Sequence, residues 1–460
     1  MTESLGNIVD KFTTVPYATV DSNAPYTSGG NAEAARKRQS AVADFIASDN
    51  ASQSWPDVEF PNLKPDDLWQ SERAMQRLLS ELDAVQESEP KKDLAYDRIA
   101  VKLAEVYRHL EVIRGLGRTG MRREISRERA GEMAIDIFGR PDQVTFNDFM
   151  AADIIKARRP ADDAAAQQLR NEYLQLIGEQ AKTYESKDQR PAHELSDKAM
   201  EVIGKDIYAL FPGFESAVTS DKEIISPTEF IEHVQNALDI VGLGEKGWRG
   251  RTRASGSAET IGSKKVIVVG ETRDPFTPST LKGTGTHEVI HAIRAENADE
   301  LQSSLAFEEG LCTGIEQIVM GKRRAVGAPF YISLGLQMGM DRPDEKKRDF
   351  RQTYEIMWRR TLLGDETVSE QSIASAKKKA MTTTMRTTRG NSLDARDISY
   401  AEGSRIANKW LNEVAELDDE QRKEKLLWIL SGKIDPTNPT HIAMYGPEKN
   451  KTNTKGSYNE

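Results

Sequence analysis

The chain has 460 residues, 38% of them hydrophobic and 30% charged, so it has apolar material for one or two cores beneath a large polar surface. A formal charge of −10 argues against general nucleic-acid binding, which draws on an excess of Lys and Arg. No apolar run is long enough to span a membrane, and MTESLGNIVDKF lacks the basic start and apolar core of a signal peptide, so a cytoplasmic protein with no membrane partner is expected.

Residues 1–62 scatter Thr, Ser, Gly, Asn and Pro with little periodicity and are expected to be loosely ordered, with room for a short helix from Ala32 to Ala47. Residues 63–210 read as a helical region. Leu78, Leu79, Leu82 and Val85, then Ile99, Leu103, Val106, Leu110 and Ile113, recur at intervals of three and four, which predicts two helices interrupted around Glu89-Pro90. Residues 211–432 carry the chemistry. Ser226-Pro227-Thr228-Glu229 is a helix start, with Ser as N-cap, Pro at the first position and Glu returning the hydrogen bond. Trp248 to Ile261 suggests an irregular strand beside a buried one at Val266-Ile267-Val268-Val269, a small sheet expected to border a substrate cleft. After these, Gly327–Asp341 and Arg348–Leu363 have the apolar content of buried segments. Residues 433–460, with His441 among them, are rich in Pro, Asn, Thr, Lys and Gly and are expected to form a mobile tail.

The most informative stretch is His287-Glu288-Val289-Ile290-His291, which fits H-E-x-x-H. With only six histidines in the chain, roughly 0.006 chance occurrences are expected. Thr277-Pro278 suits an N-cap and first helical position, so a helix from about Pro278 to Arg294 would put the two imidazoles on one face, four residues apart, ready to chelate Zn2+. Gly283 and Gly285 either break this helix or allow a close backbone approach. In such a site Glu288 is placed to act as general base. A third protein ligand is needed. From Leu301 to Met320, Leu305, Cys312, Ile315 and Val319 make an apolar helical face that also carries Glu308 and Glu309. Helical angle favours Glu308 slightly, and either carboxylate satisfies the chemistry. Cys312, the single cysteine, excludes intrachain disulfides and is expected to be a small buried packing residue.

With Glu309 standing 18 positions beyond His291, the arrangement resembles the glutamate-zincin metallopeptidases. The run Thr286–Arg294 (THEVIHAIR) with Glu309-Gly310-Leu311 resembles more closely the tubulin-tyrosine carboxypeptidase-like family and its bacterial relatives named for a Q-E-G-L-A motif. Phe138-Gly139-Arg140-Pro141, Arg386-Thr387-Thr388-Arg389-Gly390 and Asp397-Ile398-Ser399-Tyr400-Ala401-Glu402-Gly403 resemble further elements of that family, over about Leu94 to Leu430. Two departures stand out. Those relatives typically read H-E-x-x-x-H, and this chain has EEGL, with Glu308 and Cys312 where the family has glutamine and alanine.

The resemblance implies a mainly α (α+β) zincin-like fold with a small sheet beside the metal helix. It also implies Zn2+ held by His287, His291 and Glu309, and removal of C-terminal residues from a peptide or protein substrate. A substrate carboxylate needs a cation, which makes Arg386 and Arg389, with Tyr400 beside them, the candidate substrate contacts; structural salt bridging is the competing role for each arginine. Tyr331 is a lesser candidate for the oxyanion, with packing as its competing role. An endopeptidase or aminopeptidase with the same metal set, and a regulatory protein with a structural zinc, are the alternatives.

Overall fold

The computed structural model describes residues 4–16, 32–48, 65–86, 89–115, 135, 139–178, 194–254, 256–298, 305–342, 346–388, 393 and 395–447. In chain order the helices are α1 (Leu5–Thr14), α2 (Ala32–Ala47), α3 (Pro65–Asp83), α4 (Glu89–Gly115), α5 (Gln143–Arg158), α6 (Ala164–Ile177), α7 (Asp197–Leu210), α8 (Phe214–Ala217) and α9 (Pro227–Ile240). Strands β1 (Arg249–Arg253), β2 (Glu259–Ile261) and β3 (Val266–Gly270) follow. Then come α10 (Pro278–Glu296), α11 (Leu305–Met320), α12 (Ala328–Gln337), α13 (Phe350–Thr361), α14 (Glu370–Thr387), α15 (Ser399–Ala415), α16 (Asp419–Leu430) and α17 (Pro439–Tyr445). The protein is mainly helical with one small sheet, and among the described residues no helix is long and apolar enough to cross a membrane.

The local signals act as their chemistry requires. Ser226 and Glu229 close a capping box over α9, and the Thr277 hydroxyl accepts from Thr280 N at 3.2 Å with Pro278 behind it, starting α10. β3, buried along its whole length, is the central strand. It pairs in parallel with β1 (Arg249 opposite Val266) and antiparallel with β2 (Ile261 opposite Val266), leaving β2 at the sheet edge nearer α10.

Among the described residues, three hydrophobic cores organise the helices. α7, α9, β3, α10, α11, α15 and α16 share the first, which holds Trp248, Val289, Ile290, Leu311 and Leu411. α5, α6, α12, α13 and α14 surround the second, and α1, α3 and α4 form the third. Where α11 and α15 cross, the backbones nearly touch. A Cβ on Gly310 would lie 2.0 Å from the carbonyl carbon and oxygen of Gly403, and one on Gly403 would lie 1.8 Å from Ala306 O. Gly283 performs the same service between α10 and α11, where a Cβ would meet Met320 Sδ at 2.6 Å. Neither Gly283 nor Gly285 breaks α10.

Residues 4–16 and 433–447 are more ordered than the sequence suggested. Ser4 caps α1, whose Leu5, Ile8, Val9 and Phe12 are buried in the third core, a spacing short enough to be hidden among Thr and Asn. Beyond Lys433, Ile434 is 1% exposed and His441 is fully buried, accepting from Asp435 N at 2.9 Å. Trp428 Nε1 donates to Tyr445 O at 2.7 Å, so residues 433–447 dock as chain rather than trail as a tail.

Candidate metal centre

His287 and His291 lie one turn apart on α10, and the start of α11 presents Glu309 across from them. Their Nε2 atoms are 3.1 Å apart, and Glu309 Oε2 lies 3.6 Å from His287 Nε2 and 3.5 Å from His291 Nε2. A triangle with these sides has a circumradius of about 2.0 Å, so one cation can touch all three atoms at the roughly 2.0–2.2 Å that zinc makes to imidazole nitrogen and carboxylate oxygen. The donor set of two imidazoles and one carboxylate fits Zn2+.

Each imidazole is backed by a carboxylate. His291 Nδ1 is 2.8 Å from Glu308 Oε1, and Glu308 Oε2 accepts from the buried Arg294 Nε at 2.7 Å. His287 Nδ1 faces Glu316 Oε2 at 3.3 Å, without hydrogen-bond alignment, and Glu316 is paired with Arg324 at 2.6 Å. For His291 this hydrogen bond leaves Nε2 as the nitrogen free to ligate.

The same carboxylates set the two candidate glutamates apart. His291, Glu308 and Cys312 form a second group with ligating atoms close together, but Glu308 is already neutralised by Arg294, whose buried charge would repel a cation placed there. Glu309 Oε2 faces both Nε2 atoms, whereas Glu308 lies behind His291, on its Nδ1.

Charges at the site follow from this packing. Burial opposes the charged form of His287, but Glu309 and Glu316 overcome it and hold the imidazole at about 10. Burial likewise opposes ionisation of both glutamates, yet Arg294 and Lys433 around Glu308, and the two imidazoles around Glu309, keep each carboxyl well below its usual range. Tyr400, at the start of α15, has its phenol pushed up first by the Glu309 charge and then by burial.

Glu288, 7% exposed, turns toward the sheet, where the Thr260 hydroxyl of β2 shares its proton between Glu288 Oε2 at 2.7 Å and Glu288 O at 2.9 Å. Arg386 is engaged in a bidentate pair with Asp397 at 2.8 and 2.6 Å and lies over the Phe330 ring at 4.4 Å and the Tyr400 ring at 5.9 Å. Arg389 lies outside the described residues. Tyr331 is packed, its hydroxyl donating to Glu402 at 3.0 Å. Cys312 is fully buried beside His291.

Sequence reasoning overlooked Thr260, Arg294, Glu316 and Arg324. Two of them had a signal. Arg294 lies three residues after His291 and Glu316 seven after Glu309, spacings that keep each on the ligand face of its helix. Comparison with protein-family models, with curated proteins and with solved structures gave no match to this chain.

Proposed function

We propose that the chain is a zinc-dependent peptidase of the glutamate-zincin kind, with His287, His291 and Glu309 as metal ligands and Glu288 as general base. The observation that carries this reading is the triangle of two Nε2 atoms and one carboxylate oxygen, sized for one cation. The His287 and Glu309 side chains each keep 17% exposure, which favours a centre that substrate can reach over a structural zinc closed on all sides by protein.

Zn2+ held there would act as a Lewis acid on the scissile carbonyl and acidify water at its remaining position. The chain's own groups supply the rest. Glu288 takes a proton from the attacking water and returns it to the departing amine nitrogen, while Thr260 holds the carboxylate in one orientation. The Tyr400 hydroxyl, kept protonated, donates to the oxyanion as charge develops there. β2 pairs with β3 along one side only among the described residues, and its other edge offers backbone groups to an extended peptide next to Glu288.

Removal of C-terminal residues is the substrate preference we favour, and it rests on the family resemblance. One observation favours a second reading, an endopeptidase. Arg386, the cation nominated for a terminal carboxylate, is already satisfied by Asp397. Mass spectrometry of a peptide library digested by the zinc-loaded chain separates the two by which bond is lost. Glu288→Gln is expected to keep zinc and lose at least about 100-fold in turnover, the usual contribution of a positioned base. Parental turnover in that variant would refute the base assignment.

A further inference from the structure

Arg294 is 1% exposed and spends its donors in three directions. Nε donates to Glu308, one terminal nitrogen donates to Ile429 O, and the other donates to Ile434 O at 3.1 Å. The two carbonyls flank the turn between α16 and α17, and Lys433 in that turn places Nζ 4.0 Å from Glu308 Oε1. Glu308 in turn holds His291 Nδ1. A metal ligand is thus connected through one carboxylate and one guanidinium to the main chain of the C-terminal segment.

The segment stays in place by contacts of its own. Trp428 Nε1 bonds Tyr445 O, His441 is buried against Asp435, and Ile434 is buried in the first core. If the turn moved away, the guanidinium would lose two acceptors inside the protein while still facing Glu308, an arrangement that burial penalises. The orientation of His291 and the docking of residues 429–445 therefore depend on each other.

We infer that Arg294 is a positioning residue for the metal centre and that it couples the docked C-terminal segment, residues 429–445, to cation affinity at His291. This rests on the metal site proposed above. Because coupling is reciprocal, metal binding should tighten the segment by the same factor by which the docked segment tightens metal binding.

The test uses the full chain with Zn2+ as probe and amide hydrogen exchange and a competing chelator as readouts. Zinc is expected to slow exchange across 429–445 while leaving α5 and α6 unchanged. Arg294→Gln should weaken zinc binding about 10- to 100-fold, the range for groups that orient a metal ligand. Trp428→Phe removes the bond to Tyr445 together with part of a buried ring, while leaving Arg294, Glu308 and every proposed ligand in place, so it answers the case in which the Arg294 variant fails to fold. It should weaken zinc up to about fivefold, as the loss of one hydrogen bond allows. Stoichiometric zinc binding with no change of exchange in 429–445, or a zinc affinity unmoved in both variants, overturns the inference and leaves the metal site standing. A parental chain that takes up no zinc overturns both.

Discussion

Gly310→Ala is the substitution that most sharply separates this packing from an ordinary helix pair. The new Cβ would lie 2.0 Å from Gly403 backbone atoms, about 1.4 Å short of the 3.4 Å at which ordinary contact begins, and backbone on the facing helix cannot rotate away as a side chain can. The helices must separate by something of that order. Overpacking of this kind costs about 1–3 kcal/mol. Glu309 is the neighbouring residue on the same helix, and metal sites tolerate only about 0.2 Å in ligand distance, so zinc affinity should fall by on the order of 100-fold even in chain that remains folded. Gly314→Ala is the control, because its Cβ meets the movable Leu411 Cδ1 at 2.7 Å, and it should cost less on both counts. Denaturant melts give the stability difference and chelator competition gives the affinity. A Gly310→Ala chain with parental stability and parental zinc affinity would refute the close crossing and the placement of Glu309 that depends on it.

Four further outcomes follow from the site. Glu309→Gln should abolish stoichiometric zinc binding, whereas Glu308→Gln should retain zinc with about 10- to 100-fold weaker affinity and lose about 3–5 kcal/mol of stability by stranding the buried Arg294 charge; the reverse pattern in metal analysis would exchange their roles. Zinc affinity should rise with pH through the neutral range. In the metal-free chain the proton on His287 contributes stability that is full below the ordinary value of 6.5 and is lost as pH rises through about 10, and cation and proton compete for the same imidazole. Proton release near pH 7, seen as buffer-dependent heats of zinc binding, checks the sign; proton uptake contradicts it. Thr260→Val should lower turnover about 10-fold, one hydrogen bond to a charged group, with zinc affinity unchanged, as read by steady-state kinetics beside a zinc titration. Tyr400→Phe should lower kcat more than it raises KM, and an effect confined to KM would move Tyr400 from the oxyanion to substrate binding.

The parts of this structure legible in the sequence are those fixed by short-range chemistry. The Ser226 capping box, the Thr277-Pro278 start of α10, the apolar run that becomes β3 and the i, i+4 histidines needed only local periodicity and capping rules. The choice between Glu308 and Glu309 was not local. They are adjacent near the start of α11, and what separates them is Arg294 one helix away and the carbonyls of Ile429 and Ile434 that hold it. The same is true of Arg386, whose partner Asp397 decides that it is a strut beneath Tyr400 rather than a free cation. Order in residues 4–16 and 433–447 escaped composition because α1 needs only four buried residues, and residues 433–447 are held by a buried histidine and an indole hydrogen bond that composition does not encode.

X-ray absorption at the zinc edge, on the zinc-loaded 460-residue chain, tests the central claim most directly. Two imidazole nitrogens and additional oxygen at roughly 2.0–2.2 Å, with one zinc per chain and no sulfur shell, are the expected result for His287, His291 and Glu309. A sulfur neighbour near roughly 2.3 Å would place the metal at Cys312 instead, and failure to load zinc stoichiometrically would remove the metal centre altogether.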